Sequence, residues 1–213
     1  MRIKVCGLTR EDDAMLASQL GAWALGFIFY SKSPRNITVE SAADIIKNVR
    51  SRFENPPICV AVVVNEEIES LRTILAETGV DYIQFHGDES PEDCGKHSNV
   101  IKAFRLFSKE DIQVIQSYKE GIDYCLIDAA VKGEYGGTGV LSDWSLAKSV
   151  KEIGIPLLLS GGLSPENMEE AWQEVQPYAL DLSSGLEASK GIKDHSKIEK
   201  LFEIGRKYGT VSR

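Results

Sequence analysis

The amino-acid sequence predicts an α/β fold, a single (β/α)8 barrel of parallel strands spanning residues 1–213, with its site at the C-terminal face. Three observations predict it. Eight apolar, β-branched runs recur along the chain, and polar–apolar stretches of helical periodicity fall between them. Their starts, near Arg2, Ala24, Pro57, Val80, Val100, Asp123, Ile155 and Tyr178, are separated by 22, 33, 23, 20, 23, 32 and 23 residues. No low-complexity segment and no Pro/Gly/Ser linker divides the sequence. A doubly wound open sheet gives the same alternation, but eight beats fit a closed barrel.

Taken in order, the strands read RIKVC, ALGFIF, PICVAVVV, VDYIQFH, VIKAF, DYCLID, IPLLLS and YALDLSS. Continuous apolar runs of this length suit strands buried on both faces. EDDAMLASQLG, VESAADIIKNV, EEIESLRTILAETG and SPENMEEAWQEV are the clearest helical patterns. Thr38 and Ser41 offer capping chemistry before the second of these, and Ser164 followed by Pro165 predicts a cap with proline in the first turn of the fourth. Gly21 and Gly79 follow helical runs where a left-handed cap is often needed. Five of the intervals are close to the minimum for strand, turn and helix. The two long ones hold Tyr30 to Asn36 after the second strand and Ala129 to Ser142 after the sixth. Both extra stretches follow the C-terminal end of a strand, the face where barrel enzymes build their sites.

Composition narrows the function classes. The chain is 43% hydrophobic and 26% charged, enough to bury a core without disulfides or structural metals. A formal net charge of −8 argues against a nucleic-acid partner. No apolar run is long enough to span a membrane, and the strand-like start at Arg2 predicts no signal peptide. The four cysteines are scattered and form no CxxC pair, so reduced thiols in a cytoplasmic protein are expected.

Several groups can carry chemistry. Cys6 closes the first strand, where a thiol of lowered pKa can serve as nucleophile or proton acceptor; a small buried hydrophobe is the plain alternative. Cys59, Cys94 and Cys125 read as structural. Asp128 closes an otherwise apolar sixth strand, where a carboxylate is costly to bury, although a capping role is the alternative. The glycine-rich stretch Lys132 to Gly139 after it has the composition of a loop that closes over a ligand. Ser160-Gly161-Gly162 after strand seven and Ser183-Ser184-Gly185 after strand eight form the pair of turns that cradles phosphate in many such barrels, with Gly185 to Ala188 as the short extra helix. Arg35 can clamp a carboxylate or simply sit in solvent. Gln84 and His86 share one face of strand four and can line the mouth as binding residues.

At these residues the sequence resembles phosphoribosylanthranilate isomerases, enzymes of tryptophan biosynthesis. The matching stretches are KVCGLT, LGFIFYSKSPRNI, VVVNE, IQFHGDE, IKAF, LID followed by GEYGGTG, LLLSGGLSPENM, DLSSGLE and GIKDH, in order from Lys4 to His195. The family commonly has isoleucine where this chain has Val5, an apolar exchange. The resemblance implies a cofactor-free Amadori rearrangement of N-(5-phosphoribosyl)anthranilate to 1-(2-carboxyphenylamino)-1-deoxyribulose 5-phosphate, without a metal. It implies Cys6 as general base, Asp128 as general acid and Arg35 on the anthranilate carboxylate. The implied partner is a small phosphorylated substrate, with the chain a monomer or homodimer.

The residue types suit that chemistry. Ring opening needs a proton on the ribose ring oxygen, which Asp128 can supply. The resulting iminium acidifies the C2 proton, which a Cys6 thiolate can remove, and the enolamine tautomerises to the ketone. One residue must be ionised and the other protonated, so their surroundings must set them apart. Strands one and eight are neighbours in a closed barrel, so Lys4 and Asp181 are expected to pair inside it and give Cys6 an electropositive setting. The rival readings are a phosphoribosyl isomerase of histidine biosynthesis, whose members look built on two aspartates, a Schiff-base aldolase using Lys102, and a non-catalytic phosphate-ligand barrel.

Overall fold

Eight parallel strands hydrogen-bond in sequence order and the eighth returns to the first, closing a barrel. The structure is a computed structural model that describes residues 1–106, 108–128 and 144–209. The strands are β1 (Ile3–Cys6), β2 (Ala24–Ile28), β3 (Ile58–Val63), β4 (Tyr82–Phe85), β5 (Val100–Arg105), β6 (Tyr124–Asp128), β7 (Leu157–Leu159) and β8 (Ala179–Leu182). All eight expected strands are present. Six begin one or two residues later than the starts of their runs. In two of these the run includes a proline, Pro57 or Pro156, which has no N–H for the ladder.

Each strand is followed by a helix: α1 (Glu11–Leu20), α2 (Val39–Arg52), α3 (Ile68–Thr78), α4 (Pro91–Gly95), α5 (Glu110–Gln116), α6 (Trp144–Val150), α7 (Met168–Val175) and α8 (His195–Arg206). Thr38 caps α2 by accepting from the Ser41 N–H, and Gly21 and Gly79 end α1 and α3 in the left-handed conformation. The seventh helix departs from its expected start. Ser164 and Pro165 lie in a turn instead, where the Ser164 N–H donates to Asn167 Oδ1 and the helix begins only at Met168. The Asn167 side chain competes with the helix for the local backbone, as short polar side chains do at such positions.

The apolar residues divide into two cores. The larger lies between the strands and the helix ring. The smaller fills the barrel with Ala24, Val60, Ile101, Ala103, Leu126, Leu158 and Ala179. Trp23, Tyr82, Tyr124 and Tyr178 pack against the inner core, their rings in contact at centroid distances of 5.1–5.6 Å, and Arg2 lies 4.1 Å over Tyr178. This aromatic layer lies at the N-terminal end of the strands and leaves the polar residues to the other end. Among the described residues no helix is long and apolar enough to cross a membrane.

Candidate active site

Strand parity decides what the barrel mouth contains. Lys4 and Cys6 alternate with the outward-facing Ile3 and Val5, and β1 pairs with β8 so that Lys4 stands opposite Asp181. The expected ion pair is present: Lys4 Nζ donates to Asp181 Oδ2 at 2.9 Å, with both side chains all but inaccessible. Cys6 is buried, and its Sγ rests against Gly26 of β2, where a Cβ would come within 2.7 Å of the sulfur. The thiol therefore occupies a notch that only glycine leaves open. Burial pushes the Cys6 thiol up, Lys4 and Lys193 pull it down and Asp181 opposes them; the net shift is upward. The two cations offset burial without overcoming it in the free protein. Burial would lower Lys4, but Asp181 and Cys6 outweigh it and hold the ammonium above its ordinary value.

The carboxylate end lies on the rim. Asp128 closes β6 with its side chain 14% exposed, and His86, just beyond β4, brings Nε2 to 3.3 Å from Asp128 Oδ2. Gln84 is buried within β4, and its Nε2 meets His86 Nδ1 at 3.2 Å. Gln84 and His86 thus reach the mouth together, as their shared parity predicts, but their described contacts are with each other and with Asp128. The stretch Lys132 to Gly139 lies outside the described residues.

Arg35 is not a free surface charge. It crosses Gly7, and its Nε and one terminal nitrogen donate to the two carboxylate oxygens of Glu187 at 2.6 and 2.8 Å. Glu187 opens a short hairpin, β9 (Glu187–Ser189) and β10 (Ile192–Lys193), that the sequence did not suggest. The helix expected over Gly185 to Ala188 is instead a 3-10 turn at Ser184–Leu186 that gives way to this hairpin. Thr9 Oγ donates to the Gly191 carbonyl at its tip. Lys193 turns inward with its side chain fully buried, donating to the Ser183 carbonyl at 3.0 Å and lying 3.5 Å from Glu187. Burial lowers Lys193, and Glu187 and Cys6 only partly compensate. Burial likewise pushes the Glu187 carboxyl up, but the Arg35 hydrogen bonds and the Lys193 charge outweigh it and leave the group below its ordinary value. Sequence reasoning missed Glu187 and Lys193. Their only signal was membership of the stretches DLSSGLE and GIKDH.

The two glycine turns are brought into contact. Gly161 and Gly162 adopt φ of +88° and +63°, and a Cβ on Gly185 would run into the Leu163 carbonyl. The turns after β7 and β8 therefore pack backbone to backbone, which concentrates main-chain groups in one place as an anion cradle requires. The Ser183 Oγ and Asp181 Oδ1 are buried without a hydrogen-bond partner among the described residues.

The remaining candidates fall elsewhere. Lys102 points away from the lumen, between inward-facing Ile101 and Ala103, and donates to the Gly87 and Ala103 carbonyls and to Glu89. Cys59, Cys94 and Cys125 are buried, and burial pushes all three thiols up, to about 12 for Cys59 and about 11 for Cys94. Among the described residues Asp12, Asp13 and His195 place potential ligand atoms within 4.8 Å of one another. Asp13 is already engaged there by the Lys193 N–H and His195.

A closed parallel barrel with thiol, carboxylate, imidazole and guanidinium gathered at the C-terminal ends of its strands defines a (β/α)8-barrel enzyme. A family model described as N-(5'-phosphoribosyl)anthranilate isomerase matches residues 3–204, and the chain belongs to that family. It is an isomerase. A relative from Pseudomonas putida named N-(5'-phosphoribosyl)anthranilate isomerase is 44% identical over 202 residues, covering 93% of this chain and 94% of its own. The crystal structure of phosphoribosyl anthranilate isomerase from Thermotoga maritima superposes with a TM-score of 0.87 at 35% identity, over 97% of this chain and 99% of that one. A second solved isomerase, in complex with reduced 1-(o-carboxyphenylamino)-1-deoxyribulose 5-phosphate, gives 0.83 at 34% identity, over 97% and 99%.

Proposed function

We propose that this chain converts N-(5-phosphoribosyl)anthranilate to 1-(2-carboxyphenylamino)-1-deoxyribulose 5-phosphate in tryptophan biosynthesis. The observation that carries the reading is the gathering of Cys6, Asp128 and the touching β7 and β8 turns on one barrel mouth. The product analogue bound by a related isomerase of the same fold supports the substrate class.

The substrate phosphate docks on the turns at Gly161, Gly162, Ser183, Ser184 and Gly185, where backbone N–H groups and the start of the 3-10 turn favour an anion. Arg35, aligned by Glu187, offers its remaining N–H groups to the anthranilate carboxylate. Asp128 protonates the ring oxygen as the C1–O bond breaks, and the nitrogen lone pair forms the iminium. That new positive charge joins Lys4 and Lys193 beside the Cys6 sulfur and tips the thiol toward thiolate, its proton passing through Lys4 to Asp181. Cys6 then takes the C2 proton. The proton is returned to C1, and the C2 hydroxyl gives up its own as the ketone forms. The substrate nitrogen is the electron sink, so the chemistry calls on no metal or cofactor.

The test is the loss of substrate fluorescence with purified protein. Wild type is expected to convert the substrate, and failure to do so overturns the reading. Cys6→Ala and Asp128→Asn are each expected to lose about 100-fold to 10,000-fold in kcat, the usual cost of a general acid or base. Arg35→Ala is expected to act mainly on KM; a collapse of kcat alone rejects its binding role.

A further inference from the structure

An acid that works near neutral pH must hold a proton there, and a carboxyl in the ordinary range holds one only about once in a thousand molecules at pH 7. Asp128 is a rim carboxylate whose closest described titratable neighbour is an imidazole, the one side chain that ordinarily exchanges its proton close to neutrality. We infer that His86, held by Gln84, is the proton reservoir of the acid and stores the proton that Asp128 passes to the ribose ring oxygen. This rests on the Asp128 role proposed above and adds the residue that loads it.

The geometry fits both charge states of the couple. Gln84 Nε2 lies 3.2 Å from His86 Nδ1; in the neutral tautomer that accepts from this amide, the ring hydrogen is on Nε2, facing Asp128 Oδ2 at 3.3 Å. When the imidazole takes a second proton, Nδ1 becomes a donor and needs an oxygen. Gln84 supplies one by turning its amide over: its Oε1 is buried with no partner among the described residues, so nothing there holds it in the first orientation. Gln84 and His86 are positioning residues in this scheme and touch the substrate only through Asp128.

The proton balance closes over the cycle. The couple starts as carboxylate and imidazolium: as the C1–O bond breaks, the hydrogen on Nε2 passes by way of the Asp128 carboxylate to the ring oxygen, whose C1–O electron pair binds it as the C4 hydroxyl, leaving carboxylate and neutral imidazole. The couple is reloaded when the C2 hydroxyl loses its proton to form the ketone. Other described charges around the pair are few. Arg105 stands opposite Asp128 in the β5–β6 ladder, while Lys102 and Glu89 pair with each other beside the Gly87 turn. Just beyond β3, Asn65 binds Asp88 next to that turn.

The deciding experiment is the single-turnover rate of fluorescence loss between pH 6 and pH 9 for wild type and His86→Gln, which keeps a donor but cannot titrate. The expected result is a deficit that grows about tenfold from pH 6 to pH 8, because the variant loses its loaded acid at least one pH unit earlier. A deficit that stays constant with pH overturns the inference and leaves His86 a structural residue. Imidazole nitrogen shifts of wild type and Asp128→Asn, read by NMR without substrate, test the couple independently of turnover and of whether His86→Gln folds. Protonation of His86 is expected to shift to lower pH in Asp128→Asn. A His86 ring that carries no second proton anywhere between pH 6 and pH 8 in wild type rejects the reservoir. Failure of wild type to turn over the substrate would instead count against the function proposed above.

Discussion

Cys6 and Asp128 sit at the ends of two strands of one barrel, yet their surroundings are opposite in kind. Cys6 is sealed against Gly26, with the buried Lys4–Asp181 pair on one side and the inward Lys193 on the other. Asp128 is on the rim, with the His86 imidazole beside it and the Gln84 amide behind that ring. At the sealed end the charged groups are buried and the geometry is tight, so small displacements matter. The rim end reverses this: His86 and Asp128 are both partly open to solvent. In the proposed mechanism, a base that must fit closely against C2 and an acid that must be reloaded every turnover call for these different settings.

The largest effect is expected from the smallest change. Gly26→Ala places a Cβ 2.7 Å from the Cys6 sulfur and 3.2 Å from its Cα, too close for either to stay. A displacement of about 1 Å at a reacting atom costs about 100-fold, so kcat should fall by that much or more. The deficit should be the same at pH 6 and pH 8, in contrast to that of His86→Gln. Activity within about threefold of wild type would mean the notch does not position the thiol.

Next is the fixed charge itself. Lys4→Met leaves Asp181 buried without its partner and should destabilise the fold by about 3–5 kcal/mol, measured by urea denaturation. Lys4→Met with Asp181→Leu removes both charges and should recover most of that stability, because well-packed apolar residues replace buried pairs at little cost. Activity should not return with it. A double variant that is both stable and active would show that the pair serves folding alone.

The same contrast explains what could be read from the sequence. Contacts between adjacent strands were legible: once eight beats imply a closed barrel, β1 and β8 must be neighbours, and alternation puts Lys4 against Asp181. Contacts across the lumen were not. His86 and Asp128 come from β4 and β6 with β5 between them, and only the barrel radius and side-chain lengths decide that they meet. Arg35 and Glu187 are 152 residues apart on a loop and a hairpin, with no shared ladder. The hairpin was itself hidden, because Glu187 to Lys193 is short, polar and without the alternation of a half-buried strand. Gly185 misled for a related reason: its glycine serves close packing on Leu163 rather than a helix start.

The smallest effect tests whether that hairpin belongs with the sealed end or the rim. Glu187→Gln keeps the shape of the side chain but removes the charge that aligns Arg35. It should raise KM by about tenfold, the cost of one misaligned charge-assisted contact, and leave kcat within about threefold. Stability should respond to pH in a defined direction. The folded carboxyl lies below its ordinary value, so its ionised form stabilises the fold at neutral pH, and that contribution is lost as pH falls from the ordinary carboxylate range through the lowered folded value. The Tm difference between wild type and Glu187→Gln should therefore be largest near pH 7 and shrink steadily toward pH 3. A difference independent of pH would mean that Glu187 contributes shape and not charge. In that case Arg35 takes its alignment from crossing Gly7, and the carboxylate clamp belongs to the sealed, geometric end of the site.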